Sequence, residues 1–280
     1  MQTEMRLTAT EQANVTALLS ELKDKYGSSS MERIEEGFAM ALGLKPPYTP
    51  PNPYQGASDF IVPGLSARPW RDNEEFPIIP QLEASWEVIR TELRNALEQK
   101  SGFQQYLDPA RPFDPNSPVP KEWKSLYLKE EPQDFSEHRK MCPETTRLIS
   151  HPSVSNVVMF SALNPKGHIK PHFAGWNYEM NLHLGLIIPE DCGIRCGPET
   201  RKWEEGKCFV FDGSHEHEAW NNSDTTRFIL LLSVWHVDLT EAEIEFLKRA
   251  RNLVDLEVAE RHFEEMKVEQ AQLVNQKWWV

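Results

Sequence analysis

Two histidines and an arginine in the second half of the chain have the residue types and the spacing of a metal and carboxylate site. His172 lies in PHFAGWNYEMNLHLGL, His217 follows about 45 residues later in FDGSHEHEAWNN, and Arg227 comes about ten residues after that in TRFILLLSVW. Imidazole suits Fe(II), and a guanidinium binds a carboxylate through two hydrogen bonds. Taken singly, a histidine satisfied by backbone carbonyls and a solvated arginine are the commoner explanations. Taken together, the three residues match the way in which a jelly-roll barrel holds ferrous iron and a dicarboxylate.

The segment after His172 alternates polar and apolar residues, which is typical of a β-strand with different surroundings on its two faces. The polar face would carry Asn177, Glu179, Asn181 and His183, and the apolar face Tyr178, Met180, Leu182 and Leu184. A solvent-exposed face normally carries more charge than this polar set does. The sequence therefore predicts that the polar face lines an enclosed cavity and that the apolar face packs on another layer.

The elements around these residues are short alternating runs, separated by turn residues, across residues 157–235. The runs are VVMFSAL, NYEMNLHLGLII, GIRCG, KCFVFDG and TRFILLLSVW. Their spacing predicts an all-β sandwich or barrel. Helical periodicity marks residues 8–26 and residues 80–100, and a long helix is predicted after Thr240, whose capping-box partner is Glu243. Residues 101–152 are rich in proline and are predicted to be mostly loops, with one helix near residues 144–149.

Three parts of the chain are predicted from these patterns. Residues 1–50 form a helical N-terminal arm, residues 51–240 form the β domain with its supporting helices, and residues 241–280 form a C-terminal helix. The proline-rich run PPYTPPNPYQG marks the first boundary, because proline fixes φ and lacks an N–H donor. The terminal helices are candidates for a homodimer contact.

The composition is that of a globular protein, with 39% hydrophobic and 26% charged residues. A net charge of −13 without clustered Lys and Arg argues against nucleic acid or an anionic membrane as a partner. The sequence has no apolar signal region and no run of about 18 apolar residues, so we expect a cytoplasmic protein. Four scattered cysteines do not make a disulfide scaffold, and Cys192 and Cys196 supply only half of a zinc site.

Several ordered blocks resemble the aspartyl/asparaginyl β-hydroxylases, which are iron(II)- and 2-oxoglutarate-dependent oxygenases on a double-stranded β-helix. The blocks are FIVPGLSARPW, EEFPIIPQLEASWEVI, MCPETTRLI, FSALNPKGHIKPH, NLHLGLIIP, WEEGKCFVFDGSHEHEAWN and TRFILLLSVWHVDLT. They cover roughly residues 60 to 240. The resemblance implies a mainly β fold with flanking helices, a jelly-roll, cupin-like core, and Fe(II), 2-oxoglutarate and O₂ as cofactor and cosubstrates.

The resemblance also implies roles for individual residues. His172 and His217 would be the two iron ligands, and Arg227 would pair with the distal carboxylate of 2-oxoglutarate, assisted by Ser161 and His183. Most oxygenases of this kind place a carboxylate ligand two residues after the first histidine. The family has glycine there with water in the coordination position, and this chain has Ala174.

The missing carboxylate leaves other interpretations open. A small residue at Ala174 also fits an iron halogenase, which uses this position for chloride. Asp212 and Glu218 are candidate surrogate ligands, but Asp212 is also a typical turn residue and Glu218 fits a position behind the ligands or at the surface. His215 is equally consistent with a position behind His217 and with exposure to solvent.

The strand before His183 predicts the class of substrate. Family members that act on aspartyl residues carry Arg-Leu-Arg there, and this chain has Glu179 and Asn181 at the two arginine positions. A carboxylate facing an acidic side chain is repulsive, so the sequence predicts a non-acidic substrate, with Glu179 binding an amine or another polar group. Phe173, Trp176 and Tyr178 are predicted to line an aromatic entrance.

We therefore expect an enzyme that hydroxylates, or otherwise oxidises, an unactivated C–H bond of a small-molecule or amino-acid-derived metabolite, as in secondary metabolism. The family's anchored, repeat-bearing members act on secreted protein domains, and this sequence shows neither feature. The alternatives are a hydroxylase of peptides or carrier-bound residues, with residues 1–50 as the docking element, an iron halogenase, and a non-catalytic cupin-like binding module.

Overall fold

A computed structural model describes residues 7–56, 60–99, 103–105, 120–131 and 133–254. Its helices are α1 (Ala9–Tyr26), α2 (Glu32–Ala41), α3 (Ile79–Ala84), α4 (Trp86–Glu98), α5 (Ser136–Met141), α6 (Pro143–Leu148) and α7 (Glu241–Val254). Its strands are β1 (Trp70–Arg71), β2 (Gln104–Gln105), β3 (Trp123–Lys129), β4 (Val154–Leu163), β5 (His168–His172), β6 (Glu179–Ile187), β7 (Cys192–Cys196), β8 (Glu199–Arg201), β9 (Cys208–Phe211), β10 (His217–Asn221) and β11 (Arg227–Trp235).

The strands of the described residues form two antiparallel sheets. The larger sheet has the order β1-β9-β6-β11-β4-β3-β2, and the smaller sheet has the order β5-β10-β7-β8. One hydrophobic cluster contains residues of both sheets, among them Met159, Phe211 and Ile229 from the larger and Ile169 and Ile194 from the smaller. Two facing antiparallel sheets around one interior are the arrangement of a double-stranded β-helix, so the predicted fold class is confirmed.

The two faces of β6 meet different surroundings, as its alternation predicts. Met180, Leu182 and Leu184 join a second cluster with α3, α4 and α6 on the outer side of the large sheet. His183 points to the other side, where it contacts Phe211 in the barrel interior at 5.1 Å between ring centroids. The period-two pattern therefore gave the correct sidedness for this central part of the strand.

The terminal helices pack on each other within the chain. Residues of α1, α2 and α7 share a third hydrophobic cluster with Phe60 and Trp235. Arg249 of α7 forms an ion pair with Glu21 of α1 at 2.6 Å. The capping box of Thr240 and Glu243 is present, but the continuation of the predicted C-terminal helix into residues 255–280 lies outside the described residues. Within the described residues, no helix has the length and hydropathy needed to cross a bilayer.

Two element predictions were wrong in detail. The helix expected over residues 80–100 is broken at Ser85, which ends α3 and whose carbonyl accepts the first hydrogen bond of α4, from Ile89. The break places the Trp86 indole against Gly206, where a side chain would not fit. Residues 101–152 were expected to be loops with one short helix, but they contain β3, which pairs with β4 in the large sheet.

Candidate active site

His172 and His217 lie side by side at the rim of the small sheet. His172 is the last residue of β5 and His217 is the first residue of β10, and the two are register partners across the antiparallel pair. Their ring centroids are 4.1 Å apart. Phe211 packs against the His217 ring at 5.3 Å and limits its rotation. Two imidazoles at this separation can bind one metal ion.

Both imidazoles are oriented by the backbone in the same way. Nδ1 of His172 lies 2.8 Å from the carbonyl oxygen of Lys170, and Nδ1 of His217 lies 2.9 Å from that of His215. A carbonyl only accepts, so each Nδ1 carries the proton and each Nε2 carries the lone pair. Metal-binding histidines are commonly fixed by such a bond from the other ring nitrogen.

The electrostatic environment keeps the His217 ring neutral. Burial and the neighbouring His172 hold the pKa of His217 well below its usual 6.5. A neutral imidazole is the form that binds a metal ion. Among the described residues, no group of three or more His, Cys, Asp or Glu side chains is arranged to hold a metal.

Arg227 begins β11 and lies in the barrel interior with 1% of its surface exposed. Its guanidinium carbon lies 4.7 Å from the centre of the Trp203 ring. Its Nε and Nη1 atoms are buried and have no hydrogen-bond partner among the described residues. Burial lowers its pKa to about 10, which leaves it charged at neutral pH.

A buried guanidinium is costly unless an anion compensates its charge, and no described carboxylate forms an ion pair with Arg227. Contrast this with Arg71, which is equally buried but pairs with Glu75. The side chain of Arg227 is therefore positioned for an anion that the described part of the chain does not supply. A carboxylate is an anion that such a guanidinium can hold through charge-assisted hydrogen bonds.

His183 and Ser161 add donors to the same interior. The Trp203 indole N–H lies 3.3 Å from Nδ1 of His183 and donates to it, so the proton of this imidazole is on Nε2. That Nε2 is buried and has no partner within the described part of the chain. Ser161 Oγ accepts a hydrogen bond from the Trp123 indole at 2.9 Å, which leaves its own hydroxyl proton to donate. Burial and the charge of Arg227 lower the pKa of His183 and keep it neutral.

Ala174 follows the first ligand closely and has no metal-binding atom in its side chain. Its N–H donates to the carbonyl of Gly213 at 2.7 Å, which joins the loops that carry the two histidines. A side chain at Gly213 would come within 2.5 Å of Asn181 Nδ2 and 3.4 Å of the Ala174 Cβ. Asn181 therefore lies against the turn that precedes His217, and glycine is needed at 213 to make room for it.

Glu179 does not face the site as a free carboxylate, so this part of the sequence prediction was wrong. It forms an ion pair with Arg251 of α7 at 2.6 Å, and the two side chains are 3% and 15% exposed. Arg251 also bonds to Tyr178. Because a cation from a distant helix neutralises this carboxylate, Glu179 is not the group that binds a substrate amine, and repulsion of an acidic substrate cannot rest on its charge.

The aromatic residues after His172 take different positions. Phe173 is 45% exposed, beside Gly56. Trp176 is partly buried and stacks on Tyr178 with 5.9 Å between ring centroids. Asn177 precedes β6 and is used structurally, because its side chain bonds to both the N–H and the carbonyl of Val62. Of the three predicted entrance residues, Phe173 is exposed to solvent and accessible to a ligand, whereas Trp176 and Tyr178 are partly buried.

The candidate surrogate ligands have other partners. Asp212 Oδ1 accepts hydrogen bonds from the N–H and the hydroxyl of Ser214, which is the turn role. Glu218 is held by Arg195 and His168 on the outer side of β10. His215 is fully buried, so the solvent-exposed interpretation was wrong.

Sequence reasoning missed Trp203, Trp123 and Arg251. Trp203 contacts both Arg227 and His183, and Trp123 fixes Ser161, but an isolated tryptophan carries no sequence signal of such a role. Arg251 was assigned to a helix outside the site. Its role depends on the packing of α7 on β6, which no local pattern reveals.

Iron and 2-oxoglutarate fit this arrangement. The hydrogen bonds at Nδ1 of His172 and His217 leave the Nε2 atom of each ring available to a metal ion. Two buried N–H donors of Arg227 and one of His183 have no partner among the described residues and can bind an anion. His172 and His217 would hold the metal, and Arg227, His183 and Ser161 would bind the cosubstrate. A bound iron chelated by a 2-oxo acid supplies the activation of O₂.

Comparison with known proteins agrees with the predicted family. The aspartyl/asparaginyl β-hydroxylase family model matches residues 83–237. The mouse aspartyl/asparaginyl β-hydroxylase is 34% identical over 190 residues, 65% of this chain and 25% of that protein. The ornithine lipid ester-linked acyl 2-hydroxylase of Rhizobium tropici is 32% identical over 171 residues, 60% of each protein. Human aspartate β-hydroxylase domain-containing protein 2 is 27% identical over 243 residues, 82% of this chain and 63% of that protein.

The chain thus spans from a quarter to just under two thirds of the length of these relatives. Among solved structures, a cupin 2 conserved barrel domain protein from Salinispora arenicola CNS-205 aligns with 45% of this chain and 84% of that chain, with a TM-score of 0.29 and 11% identity. The fold assignment rests on the strand pairing described above. Because the family model covers more than half of its length, this chain belongs to the aspartyl/asparaginyl β-hydroxylase family.

Proposed function

We propose that this chain is an Fe(II)- and 2-oxoglutarate-dependent oxygenase that hydroxylates an unactivated C–H bond. The observation that carries the proposal is the combination of the paired histidines with the buried, unpartnered Arg227 donors. A cupin-like module without turnover has no need of a second, anion-binding subsite in the same interior. Family membership supports a hydroxylase independently of this geometry.

In the proposed reaction, 2-oxoglutarate and O₂ are converted to succinate and CO₂ while R–H becomes R–OH. One oxygen atom enters succinate and the other enters the alcohol. His172 and His217 hold the metal through Nε2. Arg227 fixes the far carboxylate of the cosubstrate and so sets the orientation of its 2-oxo acid end. The apolar residues around Trp203 exclude water from this interior.

We infer that the group of the substrate nearest to β6 is uncharged. The strand offers Glu179, which Arg251 neutralises, and the amide of Asn181. An amide presents both a donor and an acceptor, and it recognises neutral polar groups without a charge of its own. An acidic side chain would meet no unpaired strand cation here, as β6 carries none. The prediction of a non-acidic substrate therefore rests on the lack of a cation on β6, and no longer on the charge of Glu179.

We further propose that the substrate is a small-molecule or amino-acid-derived metabolite. The exposed Phe173 and the stacked Trp176 beside the histidine rim supply apolar contact area suited to a compact ligand. A peptide residue is the rival source of the same neutral group. One relative is named as an aspartyl/asparaginyl hydroxylase and another as an acyl hydroxylase of a lipid, so the names of the relatives include more than one class of substrate.

The test is anaerobic loading with Fe(II), followed by succinate release on adding 2-oxoglutarate and air. Four probes are compared: a free neutral amino-acid amide, an asparagine-containing peptide, the matched aspartate-containing peptide and an acyl ester. The proposal expects the small amide to raise succinate release above background and the aspartate peptide to leave it unchanged.

If no Fe(II)-dependent succinate release occurs, either with any of the four probes or without a probe, the assignment as an oxygenase is rejected. Stimulation by the aspartate peptide would reject the neutral substrate, and stimulation by the asparagine peptide alone would reject the metabolite. An Arg227→Met variant serves as the control, because it should lose the reaction with its metal ligands intact.

A further inference from the structure

The proline-rich segment 46–56, which appears in the sequence as a boundary, packs against the turn that carries the second histidine. Backbone bonds join the two on both sides of the turn: the Gly56 N–H donates to Ser214 at 2.8 Å, and the Glu216 N–H donates to Tyr54 at 2.7 Å. Gln55 also forms a β-bridge with His215. The segment lies outside the region that the family model matches.

Asn52 is the residue of this segment that reaches the histidine turn with its side chain. Its Oδ1 accepts the backbone N–H groups of Tyr54 and Gln55 at 3.0 and 3.1 Å. Because only the oxygen of the amide can accept these bonds, its Nδ2 must face the other way, where it lies 3.2 Å from Nε2 of His215. The amide nitrogen is a donor, so His215 Nε2 is the acceptor.

This bond fixes the state of the buried His215. With Nε2 accepting, the ring proton is on Nδ1, which lies 3.3 Å from Oδ2 of Asp212. The other oxygen of Asp212 is occupied by Ser214. The His215 ring is thus held by Asn52 at Nε2, while its Nδ1 faces the Asp212 carboxylate without forming a hydrogen bond among the described residues. The backbone carbonyl of His215 is the acceptor for Nδ1 of His217.

Gln55 supports the same turn from a second point. Its Nε2 donates to the hydroxyl of Ser214 at 3.0 Å, and its Oε1 accepts from the Tyr48 hydroxyl at 3.3 Å. Both Gln55 and Ser214 are buried. Prolines before and between these residues fix φ, so the segment loses little conformational entropy when it takes this shape.

We propose that Asn52 and Gln55 are positioning residues for the His217 metal ligand, acting through His215 and Ser214. The proposal rests on the assignment of His217 as a ligand made above. The side chains do not touch the metal position themselves. They set the orientation of the carbonyl that holds the His217 ring, and partners of this kind typically change metal affinity ~10- to 100-fold when they are removed.

The experiment measures Co(II) affinity of the full-length protein by competition with a chromogenic chelator, with no substrate and no turnover. Asn52→Asp retains the oxygen that accepts from Tyr54 and Gln55 but replaces the donor that serves His215. Gln55→Met removes the bond to Ser214 at similar volume. Each is expected to weaken Co(II) binding roughly 10-fold or more.

Asn73→Asp is the matched control. Asn73 is also partly buried and donates its amide to a backbone carbonyl, that of Cys208, away from the histidine pair. It should lower the thermal unfolding temperature by a similar amount without changing Co(II) affinity. The absorption bands of bound Co(II) give a second readout, because a reoriented His217 alters the ligand field at equal occupancy.

Three results separate the possibilities. If the parent binds no Co(II) with micromolar or better affinity, the metal assignment itself fails. If the parent binds and the Asn52 and Gln55 variants bind within twofold of it with unchanged spectra, the positioning role is overturned. If Asn52→Asp does not fold, Gln55→Met alone decides between the last two outcomes.

Discussion

Replacing Arg227 with methionine should make the ligand-free protein more stable and remove its ability to bind 2-oxoglutarate. Methionine fills a similar volume without a charge, and the site offers Arg227 no protein carboxylate among the described residues. Most substitutions of buried residues destabilise a protein. An increase in stability would therefore identify a residue that is retained for a ligand.

The magnitude follows from the contacts of the guanidinium. Two buried nitrogen atoms without partners cost about 1–3 kcal/mol each, or about 2–6 kcal/mol together. The contact with Trp203 returns about 1–2 kcal/mol of this. The Arg227→Met variant should thus gain between about 0 and about 5 kcal/mol in the free energy of unfolding without ligand, with a midpoint of about 2.5 kcal/mol. The parent should gain about 2.7 kcal/mol from 2-oxoglutarate at a hundred times its Kd, and the variant should gain nothing.

The assay is urea unfolding of the metal-free protein, repeated under anaerobic conditions with Fe(II) and 2-oxoglutarate. Arg71→Met is the control, because Arg71 is as buried as Arg227 but has Glu75 as its partner. It should lose about 1.5–3 kcal/mol, as expected for hydrogen bonds to a charged group. An Arg227→Met variant that is less stable than the parent, or that 2-oxoglutarate stabilises as much as the parent, would refute the reasoning.

Three further predictions concern the surrounding structure. Arg251→Leu should lower the free energy of unfolding in urea by about 3 kcal/mol, because it leaves the buried Glu179 carboxylate without a partner. The Arg251→Leu, Glu179→Leu double variant should recover most of this loss. Equal losses in the two variants would contradict the buried pair. His183 and His217 have pKa values well below 6.5 in the folded protein, so between those values and pH 6.5 the unfolded chain binds more protons than the folded chain. The stability that the two histidines contribute is therefore complete above pH 6.5. Below pH 6.5 it falls by about 1.4 kcal/mol per pH unit for each histidine. A His183→Asn variant measured from pH 7.5 to 5.5 should show a shallower slope than the parent, and an unchanged slope would show that His183 does not titrate in this way. Gly185→Ala should destabilise the protein by about 1–3 kcal/mol, because the new methyl group would collide with the backbone carbonyl of Glu204. A loss below about 0.5 kcal/mol would show that the strand and the 204–206 turn can move apart at little cost.

The sequence predicted the parts of the fold in which local pattern and tertiary environment agree. The alternation around Leu182 and His183 matched the two sides of the large sheet, because each face of a central strand has one type of neighbour. The capping box at Thr240 is a local interaction and was found where predicted. The order of His172, His217 and Arg227 also led to residues that the fold brings into one interior.

Other features depended on partners that are distant in sequence. Glu179 belongs to the polar face by alternation, but the charge that it presents depends on Arg251, 72 residues further on. The strand β3 was missed because its sequence, WKSLYLK, has a lysine near each end and only a short apolar stretch between them. Its pairing with β4, which is distant in sequence, makes it a strand. The break at Ser85 follows from the packing of Trp86 on Gly206, which the helical periodicity of residues 80–100 cannot reveal.

The residues proposed for the chemistry and two of the residues that support them lie in different parts of the chain. The histidine pair and Arg227 lie within residues 83–237, the region that the family model matches, and they would supply the proposed chemistry. Asn52 and Arg251 lie before and after this region, and they fix the ligand turn and the charge at the start of β6. A relative that shares the central region but differs in these flanks is therefore expected to keep the same reaction while presenting a differently charged entrance. The substrate of this chain should accordingly be sought by the chemistry of its flanking contacts, with the family assignment defining the reaction alone.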